Sequence, residues 1–170
     1  MAQKITPCLW FDKNCEEAIN FYIEVFNGAP HKSAESKILS IKRYEKGMEV
    51  PVSEDMTGKI ITAIFELNGQ RFIALDGEPI FKFSEATSLV IDCEDQGEVD
   101  YFWDKMSADP EFAQCGWIKD KFGLSWQIIP SALAKYMSSP DPVRSQRVMQ
   151  AMLKMKKMSI KGLEKAYKGK

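Results

Sequence analysis

A strand–helix pattern occurs twice in this chain, and this repeat constrains the fold more than any other feature. In the first copy, the apolar stretch Pro7–Asp12 precedes an acidic helix start and an aromatic pair that begins at Phe21. In the second copy, Ser88–Cys93 precedes a similar helix start and an aromatic pair that begins at Phe102, 81 residues later. The repeat predicts two similar modules packed face to face, with a cleft between them.

Hydrophobic alternation and turn residues predict further strands after each helix. The predicted strands are residues 4–12, 37–45, 60–67, 71–75, 87–93, 115–120 and 124–129, and the helices of the two copies are residues 15–26 and 95–106. Asn68-Gly69 is a strong hairpin signal within the first copy. Aligning Ala74 with Gln127 gives an offset of only 53 residues, so the second module is 28 residues shorter and has lost or truncated one strand.

The C-terminal part of the chain is predicted to be helical at residues 143–158 and 160–167. Asp141 before Pro142 is a typical N-cap followed by proline at the first helical position. Near the N-terminus, Asn14 is predicted to cap the first helix, with Glu17 at the capping-box position. The basic, Met-rich C-terminal helix fits either a membrane-surface segment or an amphipathic helix packed on its own sheet or on a partner subunit, and we favour the packed helix.

These elements predict an α+β fold made of two tandem βαβββ-type modules that form a cupped mixed sheet, with C-terminal helices. The modules are residues 1–77 and the shortened 86–130, the helical extension is residues 131–170, and together they are expected to form one structural domain. Modules of this type pair to close their sheets, so a homodimer is predicted.

Composition restricts the partners and the compartment of the protein. A net charge of −1 gives no reason to expect nucleic-acid binding, and no apolar run approaches the ~20 residues of a membrane span. The first residues lead directly into a strand, so no signal peptide is predicted. Four cysteines without a C-x-x-C pair fit buried free thiols in a cytoplasmic protein.

The sequence resembles the vicinal oxygen chelate superfamily, which includes glyoxalase I, bleomycin-resistance proteins and extradiol dioxygenases, and within it the PhnB-like branch. The segments that carry the resemblance are Ile5–Phe11, Glu16–Tyr22, Phe72–Gly77, Cys115–Gln127 and Arg147–Met155. The resemblance implies the tandem-module fold. Proteins similar to this one are often labelled 3-demethylubiquinone-9 3-methyltransferase.

The resemblance also implies where a metal would bind. Catalytic members hold a divalent cation with His, Glu or Gln, one from the first and one from the last strand of each module. The equivalent positions here are Pro7, Ala74, Ser88 and Gln127. Pro and Ala cannot ligate through their side chains, Ser is a poor ligand, one Gln does not make a site, and the single histidine, His31, lies in a loop. We therefore expect no metal and no cofactor.

Strand alternation predicts which side chains line the cup. The predicted ligand pocket consists of Leu9, Phe11, Ala74, Asp76, Ser88, Asp92, Trp117 and Gln127. A lining of this kind, mostly apolar with a few polar groups, suits a small organic ligand. Asp76 and Asp92 are candidate catalytic bases across the mouth of the cup, or else solvated turn residues. Trp117 is either a stacking platform or part of an aromatic core, and Cys8 is expected to be a buried apolar residue.

Four functional hypotheses follow. The first is a metal-free dimeric cup that binds a small hydrophobic or aromatic molecule. The second is an enzyme of the superfamily, metal-independent or metal-dependent, of the lyase, isomerase or dioxygenase type. The third is an interaction module whose cup is filled. The labelled methyltransferase activity is disfavoured, because the chain lacks any G-x-G turn and its strands form antiparallel hairpins.

Overall fold

The computed structural model describes residues 4–48 and 55–170. The chain divides into two compact units, Met1–Lys82 and Phe83–Lys170. Each unit contains a mixed sheet with a helix packed on one face. The predicted α+β class is confirmed, with C-terminal helices in the second unit.

The first unit contains a four-stranded sheet and one helix. Its elements are β1 (Cys8–Asp12), α1 (Cys15–Gly28), β2 (Lys37–Arg43), β3 (Ile60–Leu67) and β4 (Gln70–Gly77). The strand order is β1-β4-β3-β2, with β1 parallel to β4 and the other neighbours antiparallel. Asn68 and Gly69 have φ angles of 47° and 85° and form the predicted hairpin turn between β3 and β4. Residues 46–59, which connect the predicted strands 37–45 and 60–67, lie partly outside the described residues.

The second unit repeats this arrangement with three strands. Its first elements are β5 (Leu89–Cys93), α2 (Gln96–Met106), β6 (Trp117–Lys119) and β7 (Ser125–Pro130). The order β5-β7-β6 matches β1-β4-β3, and β5 is parallel to β7 as β1 is to β4. In the described part of the chain, this second sheet has no counterpart of β2, and β6 is only three residues long. The predicted shortening of the second module is therefore confirmed.

The buried faces of the two helices align at an offset of 80 residues, one less than the aromatic pairs suggest. In α1 the buried residues include Ile19, Tyr22 and Phe26, and in α2 they include Val99, Phe102 and Met106. In the structure, Tyr22 of α1 therefore corresponds to Phe102 of α2. In the sequence, the similarity of the two copies aligns Phe21 with Phe102 instead. The one-residue difference matters because it moves a strand side chain to the opposite face of its sheet.

The two helices begin with different caps. At α2, the Asp95 carboxylate accepts from the Glu98 backbone N–H at 2.9 Å, and the Glu98 carboxylate accepts from the Glu94 N–H at 2.7 Å. This arrangement is similar to a capping box, except that the Glu98 carboxylate accepts from the residue before the N-cap. At α1, Asn14 occupies the N-cap position as predicted, but its side chain makes no cap hydrogen bond. A carboxylate from β4, Asp76, accepts from the Cys15 N–H instead.

The C-terminal extension, residues 131–170, folds onto the second unit as three helices. These are α3 (Ser131–Met137), α4 (Pro142–Met152) and α5 (Ile160–Lys168). Asp141 caps α4 as predicted, but this helix ends earlier than expected and α3 was not predicted. Backbone N–H groups of Cys115 and Gly116 donate to the carbonyls of Met155 and Lys156, both at 2.8 Å.

Charge complementarity accompanies this packing. Residues 131–170 contain ten Lys and Arg but two Asp and Glu, whereas residues 83–130 contain three Lys and Arg but ten Asp and Glu. The Lys157 ammonium lies 2.8 Å from the Asp100 carboxylate and 3.6 Å from that of Asp104 on α2. Val148 and Leu163 are fully buried. The extension therefore packs on its own chain through both apolar and ionic contacts.

Among the described residues, no helix has the length and apolar character required to cross a bilayer.

Candidate functional site

The predicted pocket residues of the first unit lie on the helix-covered face of its sheet. Leu9 pairs with Ala74, and Phe11 pairs with Asp76, in the parallel register of β1 and β4. All four side chains are buried, and α1 packs against these two strands and β3. The expectation that they line an open cup is therefore not met for this unit, because the repeat was aligned one residue out of step.

The opposite face of the first sheet carries other side chains. We call it the first open face, and it includes Cys8, Trp10, Ile64, Ile73 and Leu75. Sequence reasoning missed these residues. The apolar stripes of α1 and α2 could have identified them. When the two stripes are aligned, corresponding residues of the two copies lie 80 positions apart rather than 81.

Asp76 has a structural role in the interior of the first unit. Its side chain is 2% exposed. One carboxylate oxygen accepts from the Cys15 N–H at 2.8 Å, and the other accepts from the Ile60 N–H at 2.9 Å. Both oxygens are thus occupied by the starts of α1 and β3. Asp76 is neither the solvated turn residue nor the exposed base that the sequence suggested.

The predicted pocket residues of the second unit do share an open face. We call it the second open face, the side of the β5-β7-β6 sheet away from α2. It consists of Ser88, Val90, Asp92, Trp117, Lys119, Ser125, Gln127 and Ile129. Val90 is 61% exposed, while Trp117 and Gln127 are half-buried. The four second-unit predictions, Ser88, Asp92, Trp117 and Gln127, are therefore brought to one surface.

Polar groups on the second open face have unused hydrogen-bonding capacity. The Gln127 side-chain amide donates to Ser88 Oγ at 2.9 Å. Ser125 is fully buried, and its Oγ has no hydrogen-bond partner in the described part of the chain. A buried hydroxyl without a partner costs free energy, so such groups are uncommon in folded proteins. Gln127 pairs with Trp117 across β6 and β7, so Gln127 and Ser88 are the polar side chains that this face offers to a ligand, whereas the Ser125 hydroxyl is buried.

Charge on the second open face is confined to its edges. Asp92 is exposed at the end of β5. The Lys119 ammonium lies 2.5 Å from the Glu85 carboxylate and 4.5 Å from the ring centroid of Phe112. The salt bridge lowers the pKa of Glu85, with the hydrogen bond from Lys119 as the main cause. The centre of the face is therefore uncharged.

Trp126 belongs to the core rather than to this face. Its side chain is 2% exposed, and its indole N–H donates to the Asp120 carboxylate at 2.8 Å. The other Asp120 oxygen accepts from the Phe122 and Leu124 backbone N–H groups. Asp120 thereby organises the turn between β6 and β7, which places Trp117 on the opposite side of the hairpin.

The thiols do not form a nucleophilic site. Cys15 and Cys93 are buried, and burial raises the pKa of each to about 12. Cys8 is exposed, which corrects the expectation that it is a core residue, and desolvation raises its pKa as well. A raised thiol pKa disfavours the thiolate that nucleophilic chemistry requires.

A polar hollow of about 620 Å³ lies at the start of α1 in the first unit. Charged side chains around it are already paired. The Arg43 guanidinium contacts both carboxylate oxygens of Glu16, at 2.9 and 2.6 Å, and the Lys59 ammonium donates to the Lys13 carbonyl. Although charged residues surround the hollow, these pairs leave fewer of their charges available to a ligand.

The residues present do not fit the divalent metal that the superfamily implies. With the corrected offset, the four equivalent positions are Cys8, Leu75, Ser88 and Gln127, all on the open faces. Leu75 has no donor atom, Ser88 is a poor ligand, and the single amide oxygen of Gln127 does not make a metal site. Within residues 4–48 and 55–170, no group of three or more His, Cys, Asp or Glu could hold a metal ion.

A family model described as 3-demethylubiquinone-9 3-methyltransferase matches residues 3–129. The chain belongs to this family. It is the PhnB-like branch of the vicinal oxygen chelate superfamily, as the sequence resemblance indicated. The match ends at residue 129, so the extension and its segment Arg147–Met155 fall outside what the 3-demethylubiquinone-9 3-methyltransferase family model covers.

Two solved structures are similar to this chain, and the first of them also supports the family assignment. A Bacillus cereus PhnB protein, described as a 3-demethylubiquinone-9 3-methyltransferase, is 35% identical, with a TM-score of 0.60, and all of it aligns with 76% of this chain. Protein PA1353 from Pseudomonas aeruginosa is 20% identical, with a TM-score of 0.54, and 98% of it aligns with 76% of this chain; this likeness concerns the fold alone. No curated protein sequence matches the chain significantly.

Proposed function

We propose that this member of the family is a metal-free binding protein whose ligand is a small hydrophobic or aromatic molecule held on the second open face. The observation that carries the proposal is that Trp117, Gln127 and Ser88 lie on one sheet face whose centre carries no charge. Apolar contact area with a few oriented polar groups is typical of small-molecule sites. The ligand would stack on the Trp117 indole and exchange hydrogen bonds with Gln127 or Ser88.

The metal-free part of the proposal rests on the donor set. A divalent cation in this superfamily needs carboxylate, imidazole or amide ligands, and the four equivalent positions supply one amide, one hydroxyl and one thiol. We also propose a homodimer, on the expectation that modules of this type pair, within or between chains, to close their sheets.

The methyltransferase activity in the family description is less compatible with this chain. A methyltransferase of the doubly wound type places its cofactor against a glycine-rich turn of a parallel sheet. Here each described sheet has only one parallel strand pair, and the sequence contains no G-x-G. We therefore propose binding rather than methyl transfer as the property to test first.

Native mass spectrometry combined with a neutral aromatic probe tests this proposal. We expect gently purified protein to appear at twice the 19.4 kDa chain mass, with a small organic adduct and no metal. We expect 2-naphthol to bind, and Trp117→Ala to weaken its affinity at least tenfold. Phe81→Ala, at an exposed aromatic residue outside the second open face, is the control and should leave 2-naphthol affinity unchanged. Equal affinity in wild type and Trp117→Ala would reject the site, and one bound metal per chain would reject the metal-free assignment.

A further inference from the structure

A second cavity, of about 380 Å³, lies where the C-terminal extension meets the family-matched part of the second unit. One wall consists of Trp103 at the end of α2 and of Ser107, Pro110 and Ala113 in the loop that follows. The other wall is formed by Lys156 and Lys157. Because the family match ends at residue 129, the lysine wall is a feature of this chain that the family model does not cover.

The aromatic wall can accept a planar ring. Trp103 is half-buried, and its indole N–H has no hydrogen-bond partner in the part of the chain that the structure describes. Ala113 is fully buried behind it, and Pro110 adds apolar surface. A volume of this size is within the range of small-molecule sites. A ring stacked on the indole would gain the geometry that aromatic pairs prefer.

The charged groups of the cavity differ in how far they are already paired. The Lys157 ammonium is bonded to the Asp100 carboxylate at 2.8 Å. The Asp104 carboxylate has one cation near it, Lys157, at 3.6 Å. The Lys156 ammonium donates to the Pro110 carbonyl at 2.9 Å, and in the described part of the chain it has no carboxylate partner. Lys156 is therefore the one lining cation whose charge is not compensated by a nearby acid.

We propose that this cavity binds a small planar aromatic molecule that carries an anionic group, with the ring on Trp103 and the anion on Lys156. An ammonium keeps two N–H donors after one bond to a carbonyl, enough for a carboxylate or sulfonate. The Asp104 carboxylate opposes the anion and limits its affinity. The cavity is separate from the second open face, so this inference does not depend on the proposed function.

Indole resonances allow the two sites to be tested separately. In the intact ¹⁵N-labelled protein, each of the four tryptophans gives one indole N–H signal, and Trp103→Phe assigns the relevant one. We expect 1-naphthoate to shift the Trp103 signal and not that of Trp117. We expect naphthoate to bind at least fivefold more tightly than the neutral 1-naphthalenemethanol, because only the acid can pair with Lys156.

Three variants test the charges. Lys156→Met should abolish the preference for naphthoate over naphthalenemethanol, whereas the matched variant Lys161→Met, on the exposed side of α5, should preserve it. Asp104→Asn should tighten naphthoate binding, because it removes the negative charge that opposes the ligand's anion. This variant tests the proposal even if Lys156→Met does not fold. An unchanged Trp103 signal, equal binding of the two probes, or weaker binding in Asp104→Asn would each overturn the proposal.

Discussion

The carboxylate of Asp76, on β4, accepts a hydrogen bond from the backbone N–H of Cys15, the first residue of α1, at 2.8 Å. The bond replaces the local cap that Asn14 does not provide. The second carboxylate oxygen of Asp76 accepts a hydrogen bond from the Ile60 N–H at the start of β3. One buried side chain therefore fixes the starts of two elements that are distant from it in sequence.

Removal of this carboxylate should destabilise the first unit. Hydrogen bonds to a charged group contribute about 1.5–3 kcal/mol each, and two buried N–H groups would lose their partner. We expect Asp76→Ala to lower the free energy of unfolding in urea by at least about 3 kcal/mol. Asp92→Ala, at an exposed position, is the control and should change stability by no more than about 0.5 kcal/mol. Similar losses in both variants would contradict the role assigned to Asp76.

The thiols should react in two classes. Cys8 is exposed and Cys115 is partly exposed, whereas Cys15 and Cys93 are buried with pKa values raised to about 12. At pH 8 we expect a thiol reagent to modify Cys8 and Cys115 in the native protein, with the other two reacting only in guanidinium chloride. Mass mapping of the labelled peptides checks the assignment, and rapid labelling of Cys15 in the native state would show it to be wrong.

Leu163 should anchor the extension. It is fully buried on α5, and truncation of a buried leucine to alanine costs about 2–5 kcal/mol. Leu153 is 49% exposed and serves as the matched control. Urea titrations should show a large loss of stability for Leu163→Ala and a change of no more than about 0.5 kcal/mol for Leu153→Ala. Equal effects would mean that α5 is not part of the folded core.

The salt bridge between Lys157 and Asp100 should make stability depend on pH. The hydrogen bond from Lys157 lowers the pKa of Asp100 below its ordinary value. A carboxyl whose pKa is lowered in the folded state stabilises it above the unfolded pKa of about 3.9, and loses that effect as pH falls through the folded pKa.

Accordingly, Lys157→Met should be less stable than wild type at pH 7 by about 0.2–1 kcal/mol, the range for exposed pairs. The difference should shrink as the pH is lowered through the range in which Asp100 is protonated. Urea titrations of both proteins at several pH values check this. A difference that persists undiminished at low pH would show that the lysine acts through packing rather than through the pair.

The elements of the fold were largely predictable, because periodicity and turn residues are local signals. The Asn68-Gly69 hairpin, the helix of residues 96–106 and the loss of a strand in the second module are all confirmed. The break after Met152 was not predictable from apolar spacing, since the Met-rich pattern continues through residue 158.

The faces of the first sheet were harder to predict. The aromatic pairs suggest an offset of 81, but tertiary packing selects Tyr22 rather than Phe21 for the core. A side chain on a strand alternates between faces, so one residue of error placed Leu9 and Phe11 in a cup rather than beneath α1. The residues predicted for the second unit, Ser88, Asp92, Trp117 and Gln127, do share one face of their sheet.

The two backbone hydrogen bonds from Cys115 and Gly116 to Met155 and Lys156 lie immediately before β6, the outer strand of the second sheet. Unpaired amides at a sheet edge attract strands of other molecules and promote aggregation. The extension accepts hydrogen bonds from these two N–H groups within the same chain. It therefore covers part of an edge that could otherwise pair with strands of other molecules. The extension can therefore be understood as protection against intermolecular strand pairing, in a module that is one strand shorter than its neighbour.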